Sequence, residues 1–97
     1  MKTYALENIS SCEQATVELR QLLPGQDDPW LLKASDGDVI AYFNIVPKSH
    51  HSEWSGSCVI ADVSGRHFNE DAAVISVLRH LQSVIGGHIK DDDDKVI

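Results

Sequence analysis

Cys58 to Ile89 reads CVIADVSGRHFNEDAAVISVLRHLQSVIGGHI, and its hydrophobic period changes twice. Over residues 57–64 the period is two. Val59, Ala61 and Val63 share one side, which predicts a strand with one face on a core. The period then becomes that of a helix. Val74, Val77, Leu78, Leu81 and Ile85 form one stripe, while Ser76, Arg79, His80 and Ser83 lie largely off it. Asn69 is a suitable N-cap, since its side chain can accept a bond from an orphan backbone N–H. Glu70 and Asp71 add negative charge where the helix dipole favours it. Gly86 and Gly87 can take positive φ and stop the helix, so residues 69–86 are predicted helical. His88 to Lys90 reads as a short last strand.

Upstream, Lys2 to Leu6 reads as a first strand with Tyr4 and Leu6 on one face. Ser10 with Glu13, or Ser11 with Gln14, fits a capping box. Cys12, Ala15, Leu19, Leu22 and Leu23 share a helical face that Pro24-Gly25 terminates. Trp30 to Ala34 predicts a strand, and Asp36-Gly37 signals a two-residue hairpin. Asp38 to Val46 is apolar on both sides. Val39, Ala41, Phe43 and Ile45 alternate with Ile40, Tyr42, Asn44 and Val46, as expected of a central or half-covered strand. The order β-α-β-β-β-α-β predicts one α+β domain over residues 1–90. Two helices should pack on one face of a mostly antiparallel sheet of four to five strands. The layout becomes ferredoxin-like if one short strand drops out.

The chain of 97 residues is long enough for one core, and its 42% apolar content matches globular usage. It has no run of about 18 apolar residues to span a membrane. The start MKTYALENIS lacks the pattern of a secretory signal. Two cysteines, Cys12 and Cys58, are too few for a disulfide framework, so a cytoplasmic protein with reduced thiols is expected. Net charge is −7, of which residues 1–90 carry −4. No basic stripe is present to neutralise phosphates, which disfavours nucleic acid and leaves a basic protein partner easier to accommodate. Residues 91–97 form an acidic segment expected to stay solvated. Asp91 to Lys95 also matches an enterokinase site of the kind found in expression tags, so its origin is either native or engineered.

The residues 47–56, PKSHHSEWSG, form a long polar connection. His50, His51 and Glu53 are candidate zinc or nickel ligands by chemistry, although neighbours on a loop lack the convergent H-E-x-x-H spacing. Trp54 beside the two histidines is a candidate partner anchor. Cys12 continues an apolar face and is expected to be an inert thiol. Cys58 could meet His51 or His67 only through folding. Gly65-Arg66-His67 outlines an anion-binding turn, but Glu70 and Asp71 would repel the anion. Asp36 and Asp38 are explained by turn chemistry. Asp62 falls on the strand face opposite Val59, Ala61 and Val63, either exposed or paired, with Arg66 and Arg79 as candidate partners. The Asp run lacks calcium-loop spacing.

These residues predict a small acidic, non-enzymatic protein-binding domain, acting by self-association or by neutralising or regulatory contact with another protein. Tyr42, His50, His51 and Trp54 are the expected partner-facing residues, and no cofactor is implied. A second class is a small enzyme or metal-dependent protein built on His50, His51 and Glu53, with His67 and the cysteines as further candidates. A third is a small-molecule-binding domain whose pocket Trp30, Tyr42 and Phe43 would line.

Overall fold

The computed structural model describes residues 2–24, 29–47, 56–65, 69–93 and 95–97. Seven elements follow one another among them: β1 (Lys2–Glu7), α1 (Cys12–Leu22), β2 (Trp30–Lys33), β3 (Val39–Val46), β4 (Cys58–Val63), α2 (Asp71–Ile85) and β5 (His88–Lys90). The strands form one open antiparallel sheet in the order β2-β3-β4-β1-β5, against which both helices pack. The predicted α+β architecture is therefore the one observed. All five expected strands pair.

The register sorts side chains to two faces. Leu6 lies between Val59 and Ile89, Phe43 between Trp30 and Ala61, and Ala41 beside Val63. These residues meet Ala15 and Leu19 of α1 and Val74, Leu78, Leu81 and Ile85 of α2 in one buried core. The two helical stripes predicted from spacing are the ones that face it. Ser11 caps α1, its hydroxyl oxygen accepting from the Gln14 amide at 3.1 Å.

Three local features depart from expectation. The β2–β3 hairpin is longer than two residues: Ala34 N donates to Asp38 O at 2.8 Å, and Gly37 N donates to Ala34 O at 2.9 Å. Gly37 has φ +88°, while Asp36 keeps a negative φ, which is the pattern of a turn followed by one left-handed residue. Asp36 Oδ1 accepts from the Asp38 amide at 3.0 Å.

Next to this turn the register skips Ile40, with Ala41 opposite Leu32 and Val39 opposite Lys33. A bulge breaks strict alternation. Ile40 thereby joins the core with Ala41 instead of the face of Tyr42.

The third departure is the start of α2. Glu70, not Asn69, holds the N-cap position, and no side chain caps it. Asp71 is drawn instead towards β1. Lys2 Nζ lies 2.8 Å from its Oδ2, and Tyr4 Oη donates to the same oxygen at 2.6 Å. That ion pair ties the first residue of α2 to β1.

The acidic segment is exposed at Asp92, Asp93 and Lys95, yet it has a defined turn. Asp91 Oδ1 accepts from the amides of Asp93 at 3.0 Å and Lys95 at 2.9 Å, and Lys90 bridges to Val96.

Candidate functional site

With both helices on one face, the other side of the sheet carries three rows of cross-strand neighbours. The first row is Leu31–Tyr42–Asp62–Thr3, and the second is Asn44–Ile60–Ala5–Lys90. The third is Val46–Cys58–Glu7–His88. They differ in exposure. Ala5, Cys58 and Glu7 are buried, Glu7 to 3%. Tyr42 is 41% exposed, in the middle of a strand. Alternation places it there, since Ala41 and Phe43 on either side point into the core.

The first row is therefore the candidate site. Thr3 Oγ1 donates to Asp62 Oδ1 at 2.9 Å, which orients a half-buried carboxylate on the strand position opposite Tyr42. Asp62 pairs with this hydroxyl and not with Arg79, because Arg79 belongs to a helix on the other side of the sheet. Arg66 lies outside the described residues.

Two other carboxylates, Glu7 and Asp71, are held by lysines. Lys90 Nζ sits 2.9 Å from Glu7 Oε1 and compensates a buried charge. Asp71 is held below the ordinary carboxylate range by its bond from Lys2 and then by that from Tyr4. Burial, and then the bond to Asp71, pushes the Tyr4 phenol up to about 12. Burial, and then the nearby Glu7 charge, pushes the Cys58 thiol up to about 11, so little thiolate forms near neutrality. Both cysteines are free, with Cys12 half-buried against the core.

Of the other predicted site residues, His50, His51, Glu53 and Trp54 lie outside the described residues, as do Arg66 and His67. The pocket imagined from Trp30, Tyr42 and Phe43 is not assembled. Trp30 and Phe43 are paired neighbours inside the core, and Tyr42 points away from them on the opposite face. Among the described residues, the group able to gather around a cation is Asp91, Asp92 and Asp93, whose ligand atoms lie within 4.8 Å of one another. The amides bound to Asp91 account for its geometry as a turn.

Sequence reasoning had Asp62 on the right face but missed its place in a row with Tyr42. Each residue's parity was readable, whereas the pairing of β3 with β4 was not. Among the described residues, no helix is long and apolar enough to cross a membrane. Compared with protein-family models, curated proteins and solved structures, the chain matches none.

Proposed function

We propose that this chain is a non-enzymatic protein-binding domain that docks a partner on the helix-free face of its sheet, around Tyr42. The observation that carries this reading is a large aromatic side chain, 41% exposed, projecting from the middle of β3 where, among the described residues, no helix covers it. Tyrosine brings much contact area at small entropic cost and is enriched at binding hot spots. The half-buried Leu31 beside it extends the apolar contact. The net charge of −7 favours a basic partner over a second copy, since like charges repel. His50, His51 and Trp54 belong to the same proposal as a second contact region.

A photo-crosslinking residue placed at position 42, with Val84 as an equally exposed control on α2, tests this in the cells that make the protein. The expected result is a discrete protein adduct from position 42 and none from position 84. Adducts absent from both, or equal at both, would remove the reading. An adduct with a second copy of the chain would select self-association.

A further inference from the structure

Resting on the docking reading above, we infer that the Tyr42–Asp62 pair is a seat for an arginine side chain presented by the partner protein. Tyr42 and Asp62 are direct cross-strand partners on β3 and β4. Such neighbours hold their Cβ atoms about 5 Å apart, so ring and carboxylate border the same spot. The Thr3 hydroxyl binds one carboxylate oxygen, Oδ1, at 2.9 Å and fixes its orientation. Among the described residues, no hydrogen bond or ion pair falls on Asp62 Oδ2 or on the Tyr42 hydroxyl.

The other charged pairs make the contrast. Glu7 faces Lys90, Asp71 faces Lys2 and Glu18 faces His80, whereas Asp62 meets a neutral hydroxyl. Asp62 Oδ2 is therefore open to an outside cation, on the strand position opposite an exposed aromatic residue. A guanidinium fits both groups at once. Its plane stacks on an aromatic face while its edge donates to a carboxylate, a combination that an ammonium matches less well. Leu31 lies across β3's other side from Asp62 and can take the methylene stem of the same side chain. The acidic balance of the chain adds a long-range pull on a basic partner.

The test is an amide NMR titration of the full chain with the peptide Gly-Ser-Arg-Ser-Gly and with versions carrying citrulline, lysine or leucine at the centre. The arginine peptide should give saturable shifts at Leu31, Tyr42, Asp62 and Thr3. Neutral citrulline, of the same shape, should bind about fivefold more weakly, as expected for a partly exposed ion pair. Asp62→Asn should erase the arginine–citrulline difference, and Tyr42→Ala should weaken every peptide.

Because the citrulline comparison uses the unaltered chain, it decides the matter even if a variant folds poorly. Binding of the citrulline or the leucine peptide at these amides as tightly as the arginine peptide would overturn the arginine seat and leave docking at Tyr42 intact. Shifts confined to residues 91–95 would reduce the effect to attraction by the acidic run and overturn it as well. Arginine binding at the row, combined with no adduct from position 42, would count against the docking reading alone.

Discussion

Gly37 and Gly87 both sit at positive φ, +88° and +97°, but they are needed for different reasons. A Cβ on Gly37 would meet nothing within 4 Å, so Gly37→Ala should cost about 1 kcal/mol through backbone strain alone. A Cβ on Gly87 would collide with the Glu7 carbonyl oxygen, where β5 turns in beside β1. Gly87→Ala should therefore cost about 3 kcal/mol or more. Urea midpoints at constant m-value check this, and equal losses would show that the collision is relieved. Glu7 offers a second residue-level expectation. Lys90→Met leaves a carboxylate 3% exposed without that ammonium, which should cost about 2–3 kcal/mol. Glu7→Gln combined with Lys90→Met should recover part of the loss, and a double-mutant cycle reads the coupling directly. Gly86-Gly87 was legible as a helix stop. The Glu7 contact was not, since it is made by a strand some eighty residues away.

The contact between β1 and the start of α2 makes stability depend on pH. Asp71 has its folded pKa depressed, by Lys2 first and Tyr4 second. Its contribution is present above the ordinary carboxylate value of about 4 and is lost as pH falls through the folded value. Tyr4 is the opposite case, raised from 10.0 to about 12 by burial first and the Asp71 bond second. Its contribution is full below pH 10 and declines as pH rises to about 12. The Cys58 thiol, raised from 9.0 to about 11, begins the alkaline decline earlier. Urea midpoints should therefore form a plateau that falls on both sides. Asp71→Asn should flatten the acid arm, and Tyr4→Phe should remove the part of the alkaline arm above pH 10 that belongs to the phenol. A Tyr4→Phe profile identical to that of the unaltered chain would refute the assignment. These elements were largely legible in advance, because burying one face imposes a period of two on strands and about 3.6 on helices. The N-cap of α2 is Glu70 and not the Asn69 that the capping pattern implies, and the tie of Asp71 to Lys2 and Tyr4 is a long-range contact that a local pattern does not display.

Considered whole, the described residues form a one-sided layer. Both helices cover one face of the sheet, and on the other face burial falls from the Val46–Cys58–Glu7 row to the row that holds Tyr42. The crosslinking and titration experiments both address that asymmetry. Tyr42→Ala itself should leave the fold in place, since an exposed position predicts a stability change within about 0.5 kcal/mol. A larger loss would mean that Tyr42 is part of the packing and would weaken its use as a docking residue.

Local chemistry alone settles much of this molecule: the number, kind and order of its elements, the inward stripe of each helix, and the outward parity of Tyr42 and Asp62. Those properties follow from side-chain spacing along a regular backbone, which neighbouring residues specify. Folding in space adds the placement of β1 between β4 and β5, the bulge that turns Ile40 inward, the Glu7–Lys90 pair, and the meeting of Tyr42 with Asp62 and Thr3. Each depends on which strand lies beside which. Strand pairing is a long-range choice among surfaces of similar hydrophobicity, and no short stretch of chain encodes it.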